Sequence, residues 1–134
     1  MKLITPLYLV KNKKNQKWSL NFNNYRNTHY QTLNKLKITF KQEMLSQIQS
    51  LPNIPVPVEI TYTVYPPNKR LFDIANVCSV IDKFLCDAIT ELGKWEDDNY
   101  LFVPRIIYQF GSIDKENPRC EVTFKRINDE SLCD

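Results

Sequence analysis

Histidine is almost missing from this chain. His29 is the one copy in 134 residues, which gives weak support to a His-ligated zinc site or a Ser-His-Asp triad. The cysteines Cys78, Cys86, Cys120 and Cys133 show no Cys-x-x-Cys or His-paired spacing. Cys78 lies on the apolar stripe of a predicted helix and Cys86 at its margin, so both read as small core or boundary residues. No apolar run approaches the ~18 residues that a membrane span needs, and no leader-like stretch opens the chain. There are no internal repeats. The expectation is a soluble protein in a reducing, cytoplasmic setting with no membrane partner. A large excess of one charge is also lacking: a net charge of +3 permits a polyanionic partner without announcing one.

What is present suits one domain with a modest core, expected over residues 1–127, followed by a flexible acidic tail over 128–134. Lys2 to Val10 has strand composition, with Pro6 marking an edge or a bulge. Lys11 to Lys17 is a basic turn, and Trp18 to Phe22 a short returning strand. Asn23 to His29 is Asn-rich and reads as a loop. Leu33, Leu36, Phe40, Met44, Ile48 and Leu51 recur at spacings of three and four, predicting a helix over Tyr30–Ser50 with Thr28 as its N-cap. Three prolines between Leu51 and Pro57 end it. Val58, Ile60, Tyr62 and Val64 alternate with more polar residues as a half-buried strand, stopped by Pro66-Pro67. Two further strands are predicted over Tyr100–Phe110 and Arg119–Lys125. The fold class is α+β: a mixed sheet of about four to five strands with two main helices against it.

The rest is organised around Asp73 to Asp98. From Ile74 to Leu92 a wheel of ~100° per residue gathers Ile74, Val77, Cys78, Ile81, Leu85, Ala88, Ile89 and Leu92 into a core stripe. Asp73, Asn76, Lys83, Asp87 and Glu91 share roughly the opposite face. Gly93 is the C-cap candidate. Beyond it come Asp97 and Asp98. A polar outer face is ordinarily just solvated; the Asp-Asp pair after the helix raises it above that. Basic residues cluster at Lys11, Lys13, Lys14 and Lys17, at Lys35, Lys37 and Lys41, and at Lys69-Arg70 just before Asp73. Alone, each cluster is a solubilising surface.

The residues Asp73-Ile74-Ala75-Asn76, Lys83, Asp87-Ala88-Ile89 and Asp97-Asp98 make this stretch resemble the RusA family of Holliday junction resolvases. That family's signature is an Asp-x-Asp-Asn opening, a helical lysine, a helical Asp-Ala-Leu and a terminal Asp-Asp. The Asn-rich loop with Tyr25 and Arg26 also has its counterpart there. The resemblance runs from about Leu3 to Phe124. It implies a RusA-like fold and a homodimer acting on branched DNA, above all the four-way junction, in recombination or repair. It implies an Mg²⁺-dependent endonuclease, with Mn²⁺ as the alternative ion, cutting by in-line attack of metal-held water on a backbone phosphate. Metal binding would fall to Asp73 and Asp98, with Asp97 in support. Lys83 would neutralise the scissile phosphate, or else simply pair with Asp87, worth a few tenths of a kcal/mol. Asn76 and Asp87 would support the site, and Lys69, Arg70 and Arg26 would grip DNA.

Two conditions follow. Asp73 and Asp98 flank a long helix, so they share an ion only if the strand after Gly93 packs beside the one ending at Tyr65, or if the acids come from two chains. Ala75 stands where the family has a second opening aspartate. Asp82 does not replace that acid, because it lies ~100° from Lys83 and off the candidate face. The alternative is therefore a non-catalytic dimer that binds branched DNA; a module that binds a protein partner ranks behind both.

Overall fold

The computed structural model describes residues 1–11 and 15–128. The strands are β1 (Lys2–Thr5), β2 (Tyr8–Val10), β3 (Lys17–Ser19), β4 (Val58–Tyr65), β5 (Arg105–Phe110) and β6 (Arg119–Arg126). The helices are α1 (Phe22–Asn27), α2 (Tyr30–Gln49) and α3 (Ile74–Glu91). A mixed sheet runs in the order β1-β6-β4-β5, and β2 and β3 form a separate hairpin. The α+β class expected from the sequence is the class observed.

Alternation along the strands sets two layers. Val58, Ile60, Tyr62 and Val64 of β4 are buried, and β6 aligns Phe124, Val122 and Cys120 beside the last three of them. α2 adds Leu36, Phe40, Met44 and Ile48 to this core, one turn apart. α3 adds its predicted stripe together with Val80, Phe84 and Cys86, so it is closed in on more of its circumference than a single stripe requires. The opposite sheet face is polar, tied by Lys2–Glu121, Arg119–Glu121, Arg119–Asp114 and Arg105–Glu59 ion pairs.

Four local expectations are corrected. Lys2 to Val10 is not one strand: it divides at Pro6, with β1 on the main sheet and β2 in the hairpin. The Asn-rich segment is not a loop but α1, because the Asn21 carboxamide accepts from the Asn24 backbone N–H and starts a turn. Thr28 does not cap α2. Its hydroxyl bonds the Asn24 carbonyl and accepts from Trp18 Nε1, and His29 Nδ1 caps Gln31 N–H in its place. Tyr100–Pro104 precedes its strand instead of joining it, with Phe102 and Val103 N–H turned back on the Asn99 carbonyl. The acidic-tail expectation lies, beyond Asn128, outside the described residues, as do Cys133, Lys13 and Lys14.

Both glycines are placed by geometry. Gly93 has φ +74 and closes α3, its N–H on Thr90 O and that of Lys94 on Ile89 O. At Gly111 a Cβ would stand 2.6 Å from Tyr65 Cε1 and 3.0 Å from Thr63 Cγ2. The Tyr65 ring is itself held under the Arg119 guanidinium at 4.2 Å. Gly111→Ala is accordingly expected to cost about 1–3 kcal/mol by overpacking, read as a lower urea midpoint with an unchanged slope.

Candidate functional site

The chain before α3 delivers a charged tip. Pro66-Pro67 ends β4, the Asn68 carboxamide accepts from Arg70 N–H, and Asp73 takes the N-cap position without a side-chain cap bond. Asp73 is exposed, and Asn76 N–H bonds its backbone carbonyl at 3.0 Å. A polar cavity of about 530 Å³ opens there, lined by Asn21, Asn23, Arg70, Asp73 and Asn76 among others. The cap of α1 and the start of α3 thus build one concave patch. Lys69 and Leu71 stand on the same loop, and Leu71 is 95% exposed.

Asp97 and Asp98 lie elsewhere. β5 does pair with β4, as the sharing of an ion required, but the pairing is parallel, Glu59 opposite Arg105 and Val64 opposite Phe110. Asp73 follows the finishing end of β4, whereas Asp98 precedes the starting end of β5, near where Phe102 O receives Val58 N–H. The whole of α3, about 27 Å for 18 residues, runs between them. The expected Asp73–Asp98 metal pair is therefore not formed within one chain. Among the described residues no group of three or more His, Cys, Asp or Glu side chains is gathered to hold a metal ion. The described residues of a single chain gather too few carboxylates at one point for Mg²⁺, which needs several hard oxygens there.

The remaining expected site residues are strung along the helices. Lys83 lies mid-α3, its ammonium 5.9 Å from the Tyr25 ring centroid; no ion pair with Asp87 forms among the described residues. Asp87 lines a groove between α2 and α3 with Lys37, Lys41 and Glu91, the last two paired at 2.8 Å. Arg26 lies in the last turn of α1, over the Phe22 ring. Of the proposed site residues, the structure brings Asp73, Asn76 and Arg70 together at one cavity. It leaves Lys83, Asp87, Asp97 and Asp98 away from it.

Asp97 builds a turn. Its carboxylate accepts from Asp98 N–H at 2.8 Å and from Asn99 Nδ2 at 2.9 Å, which holds its pKa below the usual carboxylate range. Asp98 moves the other way: partial loss of water, then its neighbour Asp97, raise its carboxyl pKa. A raised folded-state pKa gives stability that is present below the unfolded value and lost as pH rises through the folded one. Asp98→Asn should therefore be relatively more stable than the parent at neutral pH than at acid pH. Thermal melts across that range check the sign.

Sequence reasoning set Asp82 aside, and the structure shows where it points. Its Oδ1 accepts from Tyr62 Oη at 2.5 Å and from Cys86 Sγ at 3.2 Å, and its Oδ2 from Tyr108 Oη at 3.4 Å. Burial, then the nearby acid, pushes the Tyr108 phenol upward; Tyr62 is raised well above the ordinary phenol range by burial first. This cluster fastens α3 to β4 and β5, and Asp82 does not line the Asp73 cavity. Leu71 is the functional candidate that sequence reasoning missed; its signal was an apolar pair, Leu71-Phe72, directly after two basic residues in a segment that opens on turn residues. No family model matches the chain, and no curated protein matches it in sequence. No helix among the described residues is long and apolar enough to cross a membrane.

Proposed function

We propose that this chain binds branched DNA, with the four-way junction as its preferred form, through the loop Asn68–Asp73 and the cavity behind it. The observation that carries the reading is the composition of that tip. Lys69 and Arg70 supply phosphate-seeking charge, and Arg70 with three asparagines supplies hydrogen-bond donors for backbone oxygens. Leu71 stands free between them and Phe72 as an apolar group that can insert where stacking is broken, which a branch point offers and a linear duplex does not. The RusA resemblance supports the same substrate.

On this reading the chain acts as a resolvase where carboxylates of two chains meet, since the described residues of one chain gather too few carboxylate oxygens for Mg²⁺ or Mn²⁺. A second reading, branched-DNA binding without cleavage, is favoured by Ala75 in place of the family's second opening aspartate, and among the described residues Asp73 is the one carboxylate lining its cavity. Purified protein titrated against a synthetic four-way junction and a linear duplex of equal length tests the proposal. Tighter junction binding is expected, with nicking in Mg²⁺ or Mn²⁺ if the first reading holds. Equal affinity for both DNAs at matched salt sinks the junction reading. Binding without nicking selects the second, and Ala75→Asp is then the variant expected to gain activity.

A further inference from the structure

Beside the polar cavity lies a second, smaller hollow of about 250 Å³. Its wall is apolar. Leu20 and Val64 are buried in it, with Leu7, Pro66, Phe72 and Val77 around them. Backbone bonds fix its shape: Leu20 N–H meets Leu7 O at 2.9 Å, and Pro66 O accepts from Asp114 N–H at 2.8 Å. The rim carries Ser19, Asn21 and Asn68. Each asparagine commits its side-chain oxygen to a backbone N–H, Asn21 to that of Asn24 at 2.8 Å and Asn68 to that of Arg70 at 2.9 Å. Their Nδ2 groups, with two donors each, have no partner among the described residues. Arg70, Leu71 and Phe72 line both hollows, so the two adjoin at the tip.

We propose that this smaller hollow is a base-binding site, which receives one unpaired nucleobase turned out of the stack of the DNA held at the tip. The proposal rests on the DNA-binding reading above and deepens it from phosphates to a base. Size is the first support. Pockets for drug-sized ligands run from about 300 to 1,000 Å³, and a hollow of about 250 Å³ suits a single flat ring system. Chemistry is the second. Apolar walls suit the faces of a ring, and the free carboxamide donors suit the carbonyl oxygens and ring nitrogens on its edge. An apolar side chain of a protein partner would leave those donors unmet, so a base is the better occupant.

Position is the third support. A nucleotide carries its phosphate beside its base, and Arg70 stands where the polar cavity and the apolar hollow meet. Leu71, exposed on the same loop, can fill the step that a departing base leaves. A base that is already unpaired costs least to turn out. The rim also sets a preference. Its asparagines offer donors and no free oxygen, which favours a base edge rich in carbonyls, thymine above adenine.

Two linear duplexes, each with a one-nucleotide bulge, test the site on the purified chain. One bulge carries thymidine and the other an abasic residue. The two DNAs share backbone and charge, so the phosphate grip cancels between them. The parent is expected to bind the thymidine bulge about five- to a hundredfold more tightly, the range for one base settled on a protein surface. Ser19→Phe and Leu7→Phe obstruct positions that line this hollow and not the polar cavity, and each should abolish the difference. Ser19 is exposed, so its variant should keep the parent's circular dichroism. Equal affinity of the parent for the two bulges overturns the proposal. So does a thymidine preference that survives Ser19→Phe in a folded protein. The four-way junction is measured apart from these. A thymidine preference that Ser19→Phe removes, beside equal affinity for junction and plain duplex, upholds the base site and removes the junction reading. A junction preference with no thymidine preference does the reverse.

Discussion

Phe84→Ala is expected to lower the unfolding free energy by about 3–5 kcal/mol, the range for truncating a buried aromatic. Phe84 is the ring on which the small hairpin and all three helices meet. Trp18 of β3 stacks on it with centroids 5.9 Å apart, Phe40 of α2 meets it edge-on at 5.7 Å, and Tyr25 of α1 lies tilted at 6.4 Å. Such arrangements add about 0.5–1.5 kcal/mol to the area each pair buries. Trp18 cannot move in to fill the gap, because its indole N–H is fixed on the Thr28 hydroxyl and that hydroxyl on the Asn24 carbonyl. The cavity stays open, and cavity volume is what separates the costly truncations from the mild ones. Domains of this size have stabilities of about 5–15 kcal/mol, so the variant should lose a large share of its total. Urea unfolding followed by Trp fluorescence measures it. Phe84→Leu, which keeps much of the volume, should cost less than half as much; equal losses would place the effect in α3 itself and not in the aromatic cluster.

Much of this core was legible in the chain. α3 announces itself because eight apolar residues hold helical spacing for five turns and a glycine stands where the helix must stop. β4 does so by strict alternation. α1 was illegible for a chemical reason: asparagine both starts helices and populates turns, and only the Asn21–Asn24 bond decides between them. The choice between Thr28 and His29 as cap was settled at a distance, by a Trp18 indole that no local pattern connects to Thr28.

The candidate site shows a different kind of gap. Its residues were found, but their separation was not. Pairing of β4 and β5 was foreseen as a requirement, and it is met; the direction of the pairing is what parts Asp73 from Asp98. That direction was available in principle. Two strands joined by an 18-residue helix form a crossover, and a crossover joins parallel strands. Whatever precedes the second strand then lies at the opposite end of the sheet from whatever follows the first. Local spacing cannot state this, because a motif along a line carries no information about which way the line turns.

Lys69→Ala combined with Arg70→Ala is expected to weaken four-way junction binding by about ten- to a hundredfold near physiological salt, and to flatten its salt dependence. Each phosphate contact contributes about 0.9 to the slope of log affinity against log salt on duplex arms. Loss of two should reduce the slope by about 2. Net charge alone could produce some of this, so the comparison is Lys125→Ala with Arg126→Ala. That pair removes the same charge from β6 beside the starting end of β4, where Glu59 faces Lys125 and Val58 faces Arg126. If a general field attracts the DNA, both double variants lose alike. If the tip grips it, the slope changes only for Lys69 and Arg70. Leu71→Ala separates the remaining term. It carries no charge, so it should leave the slope unchanged, and its loss should show as a narrower gap between junction and linear duplex. A Leu71→Ala protein that still discriminates as well as its parent would move recognition of the branch away from the tip. A flattened slope at Lys69 and Arg70 would then mean only that phosphates are held there.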